Sequence, residues 1–109
     1  NDGTAIRDYV HVVDLAKAHV KSLNYLNNYK KSNIFNLGSK TGLSVFDIMN
    51  ESQRVSGKNI NYVVKGRRPG DCEKMVADFK KANKILKWSP KYSDISSIID
   101  SSWKMYKNK

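Results

Sequence analysis

The chain opens on an alternating stretch, RDYVHV, over residues 7–12. Successive side chains of a strand point to opposite faces, so the alternation predicts a half-buried strand with one polar and one apolar face. The polar face carries Arg7, Tyr9 and His11. Asp8 falls on the apolar face, where an unpaired carboxylate is costly, so we expect hydrogen-bond donors around it.

Apolar residues at helical spacing predict four helices along the rest of the chain. The first is expected to be capped by Asp14 and to face inward with Leu15, Ala18, His19, Leu23 and Leu26. The second begins at a capping box formed by Ser44 and Asp47 and stops at Gly57. The third is capped by Asp78 and turns inward through Ala82, Ile85 and Leu86. The fourth runs from about residue 93 to 105.

Short extended segments separate the predicted helices. Strands are expected over residues 33–39 (NIFNLGS) and 59–64 (NINYVV), and a short extended piece over 75–79 (MVADF). Alternation of strands and helices indicates the α/β class, but so few short strands do not complete a doubly wound sheet. We therefore expect the 109 residues to be one portion of a larger protein.

The composition fits a globular protein outside membranes. Hydrophobic residues make up 39% of the chain, and charged residues 28%. No apolar run approaches the roughly 20 residues needed to span a bilayer. Cys72, the single cysteine, cannot form an internal disulfide. We expect a cytoplasmic protein with no metal site.

The net charge of +10 raises the possibility of a nucleic-acid-binding module, whose affinity would fall steeply with salt. The sixteen lysines, however, are scattered in the manner of a solvated surface. Three of the four arginines, Arg7, Arg67 and Arg68, lie in the two stretches that look least like ordinary surface. Because arginine presents a planar fork suited to phosphate oxygens, this partition favours a localised phosphate site.

The second of these stretches is RRPGD, residues 67–71. Proline followed by glycine favours a type II turn over residues 68–71, since Pro69 fixes φ and Gly70 accepts a positive φ. The residue before a proline is pushed into an extended conformation, which projects Arg68 from the turn. Asp71 is then close enough to orient Arg68 or to accept a proton from a ligand hydroxyl. A basic surface turn without function is the alternative.

Together, IRDYVHVVDLAKAHV and GRRPGD make the chain similar to the C-terminal part of the UDP-glucose 4-epimerases, also called UDP-galactose 4-epimerases. These enzymes are extended short-chain dehydrogenase/reductases. The similarity extends over nearly all of residues 1–109 and includes DGT, NLG, LSV, SGK and VAD in the same order. It implies that the chain is the substrate-binding portion of such an enzyme, with the Rossmann NAD-binding part absent.

The resemblance also implies roles for individual residues. Arg7 and Arg68 would bind the diphosphate of a UDP-sugar, and Asp71 would bind the nucleotide through its ribose. Tyr9 would lie on the same side as Arg7. Met75 would line the sugar pocket at a position where some family members carry tyrosine, so the sugar preference is not carried over. Asp8 would be structural.

The family's cofactor and catalytic motifs are missing from this sequence. It contains no G-x-G-x-x-G turn, and no tyrosine is followed four residues later by lysine. The resemblance therefore implies that NAD and the proton-transfer residues belong to an absent N-terminal segment, and that residues 1–109 alone are inactive. It implies a homodimer for the complete enzyme and neither nucleic acid nor membrane as a partner. The alternatives are another nucleotide-sugar dehydratase or decarboxylase of the superfamily, or a free-standing noncatalytic nucleotide-binding protein.

Overall fold

The computed structural model describes residues 2–108, which form a mixed α/β arrangement of short strands and four helices. This confirms the α/β class. In chain order the elements are β1 (Ile6–Asp8), α1 (Val12–Tyr29), β2 (Gly42–Ser44), α2 (Val45–Ser56), β3 (Lys74–Met75), α3 (Lys80–Leu86) and α4 (Ile95–Lys107). None of the helices in this part of the chain combines the length and apolar character that crossing a bilayer requires.

β1 is the central strand of a three-stranded sheet with the order β2-β1-β3. It pairs antiparallel with β2 and parallel with β3. Arg7 is the middle residue of β1, and its Cα partners are Leu43 on one side and Met75 on the other. The sheet thus brings a residue near the start of the chain beside the segment that follows the RRPGD turn.

A small core forms where α1 packs on α3. Its buried apolar residues are Ala18, Ala82, Leu86 and Trp88. The Trp88 ring lies edge-on to Phe79, with centroids 5.8 Å apart. Half-buried Phe35 and Leu37 pack against this core from the loop before β2. α2 and α4 form a second packed pair, in which Glu51 accepts hydrogen bonds from Arg54 and from Ser96 of α4.

The first predicted strand is shorter than its alternation indicated. β1 ends at Asp8, and α1 begins at Val12. The N-cap of α1 is His11 rather than Asp14, because the His11 Nδ1 accepts the backbone N–H of Val13 at 3.0 Å. Tyr9 and His11 therefore do not share a strand face with Arg7.

Asp14 has a different role from the predicted cap. Its side chain is 1% exposed and accepts hydrogen bonds from the Lys91 N–H, the Tyr92 N–H and the Ser93 hydroxyl. Burial alone would raise the pKa of Asp14, but these hydrogen bonds hold the pKa below its ordinary value. The carboxylate thereby fastens the start of α1 to the segment before α4.

The helix boundaries follow the predictions with small shifts. The capping box of Ser44 and Asp47 is present, and α2 ends at Gly57 as predicted. α4 begins at Ile95, two residues later than expected, with Asp94 as its N-cap. Asp78 accepts the N–H of Lys80 at 3.0 Å, although the residue immediately preceding α3 is Phe79.

Several predicted inward positions are exposed instead. His19 was expected in the core but is exposed, and its ring Nδ1 contacts the Leu15 carbonyl at 2.7 Å. Leu23, Leu26 and Ile85 are also exposed, because α1 and α3 meet only along the side that carries Ala18 and Ala82.

Residues 33–39 and 59–64 are not strands, so both predictions are wrong. The first segment packs Phe35 and Leu37 on the core without joining the sheet, and its place beside β1 is taken by β2. The second is exposed throughout. An alternating pattern forms a strand only where another strand offers its backbone groups.

Asp2 anchors the segment before β1 and gives a testable pH dependence. Its carboxylate accepts hydrogen bonds from the hydroxyls of Ser44 and Thr4 and from the Thr4 N–H, and these lower its pKa to about 2. Because the folded pKa is depressed, the stabilisation is complete above the ordinary carboxyl pKa and is lost as the pH falls through about 2. A carboxyl-carbon NMR titration should give a midpoint near that value. A midpoint close to 4, the ordinary carboxyl value, would contradict these contacts.

Candidate nucleotide-binding site

Arg7 is held in a fixed orientation at the centre of the sheet. One guanidinium nitrogen, Nη1, donates to the Ile6 carbonyl at 2.8 Å. The other, Nη2, donates to Asp71 Oδ1 at 2.6 Å. The side chain is 27% exposed, so part of the guanidinium remains accessible.

The RRPGD turn has the predicted geometry. The Asp71 N–H donates to the Arg68 carbonyl at 3.2 Å, and Gly70 has φ +79°. Both features belong to a type II turn, whose third position requires a positive φ. A residue with a Cβ would be strained at position 70, so glycine is needed for the turn that presents Arg68.

Asp71 joins the two arginines that are distant in the sequence. Arg68 Nη2 donates to Asp71 Oδ2 at 3.2 Å, while Arg7 occupies the other carboxylate oxygen. Arg68 is 84% exposed, so most of its donors face solvent. The structure thus brings Arg7, Arg68 and Asp71 into one cluster with unused guanidinium donors at its surface.

The cluster keeps Asp71 ionised. The hydrogen bond from Arg68 has the largest lowering effect on the pKa of Asp71, and the charges of Arg68 and Arg7 lower it further. Arg7 is nevertheless the closer partner by distance. Two guanidinium groups on one carboxylate leave a net positive charge, which can attract an anion such as a diphosphate.

The other candidate residues, Met75, Arg67 and Tyr9, lie outside this cluster. Met75 is the Cα partner of Arg7 across the β1–β3 pair and is 57% exposed, so it borders the site. Arg67 instead donates to the Gly3 carbonyl at 3.4 Å and lies 3.9 Å from Glu73. Tyr9 follows β1 and is half-buried, and within residues 2–108 it makes no hydrogen bond to Arg7 or Arg68.

Asp8 has the hydrogen-bond donors that the sequence led us to expect. Its Oδ1 accepts from the Ser39 N–H at 2.8 Å and the Ser39 hydroxyl at 2.6 Å, and its Oδ2 accepts from the Ala77 N–H at 3.0 Å. The identity of these donors was not predicted, because both residues are remote from Asp8 in the chain. The one signal in the sequence was a small polar residue, Ser39, after the glycine of NLGS. That signal does not say which carboxylate Ser39 would bind.

His11 and the cavity between α2 and α4 are separate from the arginine cluster. His11 caps α1, and its Nε2 contacts the Ser101 hydroxyl at 2.9 Å. A cavity of about 430 Å³ lies between α2 and α4 and does not include either arginine of the cluster. Within residues 2–108 no group of three or more histidine, cysteine or acidic side chains could hold a metal ion.

Comparison with known proteins identifies the family of the chain. The protein-family model described as GDP-mannose 4,6 dehydratase matches residues 1–100. The chain belongs to this family.

Individual relatives in the family carry a different activity in their names. The UDP-glucose 4-epimerase of Lacticaseibacillus casei is 46% identical over 107 residues, which are 98% of this chain and 32% of that protein. Among solved structures, the UDP-glucose 4-epimerase of Stenotrophomonas maltophila, with bound NAD and formylated UDP-arabinopyranose, superposes with a TM-score of 0.92 at 32% identity. It covers all of this chain, which spans 33% of that structure.

A second solved structure has the same relation to the chain. The UDP-glucose 4-epimerase of Bifidobacterium longum, in complex with NAD+ and UDP, has a TM-score of 0.89 and 37% identity over 99% of this chain and 32% of its own. The chain thus spans about a third of the length of the relatives it matches.

Proposed function

We propose that this chain is the UDP-sugar-binding portion of a UDP-glucose 4-epimerase. The complete enzyme would interconvert UDP-glucose and UDP-galactose by inverting C4 of the hexose through a 4-keto sugar. The observation that carries the proposal is the convergence of Arg7 and Arg68 on Asp71. The names of the relatives supply the reaction.

The chemistry of the cluster fits a nucleoside diphosphate. Guanidinium forks can each make two parallel hydrogen bonds to phosphate oxygens, which are stronger than bonds between neutral groups. Arg7 would hold the diphosphate from the sheet, and Arg68 from the turn. Asp71, ionised and fixed between them, would accept a hydrogen bond from a ribose hydroxyl. Met75 would border the sugar. Tyr9 lies beyond the end of β1 and off the strand face of Arg7, so we do not assign it a contact with the diphosphate.

The residues of this chain do not fit NAD. A dinucleotide site of this superfamily uses a glycine-rich turn opening a helix whose N-terminus binds the pyrophosphate. The sequence has no such turn. In residues 2–108, the N-termini of α1, α2 and α4 are each capped by a side chain, from His11, Ser44 and Asp94. NAD would supply the oxidation and reduction at C4 from another part of the protein.

The surface of the molecule supports assigning it to a larger protein. Its accessible area is 8277 Å², against roughly 6,100 Å² expected for a compact monomer of this mass. Its radius of gyration is 16.6 Å, against about 13 Å for a compact domain of this length. An expanded chain with many exposed apolar side chains lacks a covering surface. We propose that residues 1–109 are the C-terminal portion and that an N-terminal NAD-binding domain covers part of it.

A second candidate follows from the description of the family model. A nucleotide-sugar dehydratase would use the same diphosphate contacts but would release water from the sugar. Product analysis separates the two reactions, because an epimerase yields a UDP-hexose of unchanged mass. A product lighter by one water would favour the dehydratase.

The proposal predicts that residues 1–109 alone do not catalyse epimerisation. They carry the diphosphate contacts but neither a tyrosine–lysine pair at the required spacing nor a dinucleotide turn. The purified chain should convert no UDP-galactose in a coupled assay with added NAD, whereas the full-length protein should do so. Turnover by the isolated chain would contradict this division of roles.

A further inference from the structure

The Asp8 carboxylate connects three segments around the neighbouring residue Arg7. Asp8 belongs to β1, Ser39 to the loop before β2, and Ala77 to the segment that leaves β3. Three donors on one carboxylate satisfy its oxygens in a half-buried place. Each donor lies at least 31 positions away along the chain.

We propose that Asp8 is a positioning residue for nucleotide binding, which acts by holding the Ser39 loop and the Met75–Ala77 segment against the strand that carries Arg7. This inference rests on the proposed function, because it concerns the same UDP-sugar site. Asp8 follows Arg7 in the chain, but within residues 2–108 its carboxylate accepts hydrogen bonds from Ser39 and Ala77 and not from the arginines. Its effect on a ligand would pass through the backbone on each side of Arg7.

The path from Asp8 to the cluster passes through only a few residues. The Ala77 N–H is held by Asp8, and Met75, two residues earlier, is the Cα partner of Arg7. Asp71 lies four residues before Met75 and accepts from both arginines. The β1–β3 pair has only two residue pairs in register, so the bond to Ala77 extends a very short contact. Without it, the turn that carries Arg68 would be held to β1 only by the two residue pairs of β1–β3, which include the bond from the Ile6 N–H to the Glu73 carbonyl, and by the Arg7–Asp71 ion pair.

The surroundings of Gly38 show that the Ser39 loop packs closely against Asp8 and Ala77. A Cβ at position 38 would lie 2.5 Å from Asp8 Oδ2 and 2.6 Å from the Ala77 carbonyl oxygen. Both distances are shorter than carbon–oxygen contacts allow. Glycine is therefore required for the loop to approach Asp8 and Ala77 together, which is a packing constraint separate from the hydrogen bonds.

Two pairs of variants in the full-length protein test the inference, because the chain supplies a matched control. Asp14 accepts from two backbone N–H groups and one serine hydroxyl, the same set of donors as Asp8, but it lies at the start of α1. Asp8→Asn is compared with Asp14→Asn. The milder Ser39→Ala is compared with Ser93→Ala, since each removes the hydroxyl donor of one carboxylate.

The measured quantities are the Kd for UDP, KM and kcat for UDP-galactose, and the melting temperature. We expect Asp8→Asn to raise Kd and KM about 10-fold or more, because it loses charge-assisted hydrogen bonds, with kcat changed less than about threefold. Ser39→Ala should raise both about threefold. Asp14→Asn and Ser93→Ala should lower the melting temperature and leave Kd and KM within about twofold, since their effect is on folding alone.

The outcomes distinguish failure of the positioning role from failure of the proposed function. If the wild-type protein bound UDP but Ser39→Ala and any folded Asp8→Asn protein bound it equally well, the positioning role would be wrong and the proposed function would stand. The same conclusion follows if the Asp14 and Ser93 variants weakened UDP binding as much as the Asp8 and Ser39 variants. If the wild-type protein neither bound UDP nor converted UDP-galactose, both proposals would fall. Should Asp8→Asn not fold, the serine pair carries the comparison.

Discussion

Replacing Trp88 by alanine is expected to lower the free energy of unfolding by about 3–5 kcal/mol, the range found for large aromatic side chains removed from protein cores. Trp88 is 1% exposed, and its indole N–H donates to the Asp14 carbonyl at 2.8 Å. The substitution would open a cavity against Phe79 and leave a buried carbonyl without its donor. Folded proteins are stable by only about 5–15 kcal/mol, so much of the margin would be lost.

Trp103→Ala is the matched control, measured by denaturant unfolding of the full-length protein. Trp103 is half-buried on α4 and stacks on Tyr106, with centroids 6.1 Å apart. Its removal should cost about 1–2 kcal/mol, since less area leaves the interior. Trp88→Phe, which keeps most of the bulk but not the N–H, should fall between the two. Equal losses for both alanine variants would show that Trp88 does not anchor the core.

Local chemistry made some of the fold predictable from the sequence. The capping box of Ser44 and Asp47 and the turn at Pro69 and Gly70 were both foreseen, because a few adjacent residues determine each structure. The N-cap of α1 was assigned to Asp14, since aspartate is a common cap. Histidine can also accept through Nδ1, and His11 takes that position three residues earlier. Asp14 is then free to bind the segment before α4.

Features that depend on distant partners were not predictable in the same way. Residues 59–64 alternate as a strand should, but no neighbouring strand is present among residues 2–108 to pair with them. Residues 42–44 carry no alternating signal, and they pair with β1 because the loop from Phe35 to Ser39 delivers them there. A strand needs a partner as well as a pattern.

The candidate site also contains one local contact, which the sequence predicts, and one long-range contact, which it does not. The Arg68–Asp71 contact follows from turn geometry within five residues. The contact of Arg7 with Asp71 spans 64 positions, and the sequence alone did not indicate that both arginines use one carboxylate. Proximity of Arg7 and Arg68 was expected only from the resemblance to epimerases. The short β1–β3 pair is the physical device that produces it.

Replacing Arg7 by alanine is expected to weaken UDP binding about 100-fold in the full-length protein, because two charge-assisted hydrogen bonds to the diphosphate would be lost. Arg7→Lys keeps the charge but not the planar fork, and it should weaken binding about tenfold. Isothermal titration with UDP measures both. Arg54→Ala is the control, since it removes the same charge from an arginine that pairs with Glu51 and Ser96 instead.

Comparing the effect of the substitution on several ligands tests whether Arg7 binds the diphosphate. A group that binds the diphosphate should matter equally for UDP, UDP-glucose and UDP-galactose, which share that moiety, and hardly at all for uridine, which lacks it. Arg7 also holds Asp71, but Arg68 still contacts the same carboxylate in its absence, so the turn keeps one of its two ion pairs. If Arg7→Ala bound UDP as tightly as Arg54→Ala did, Arg7 would be a structural residue of the sheet and the proposed diphosphate site would be wrong.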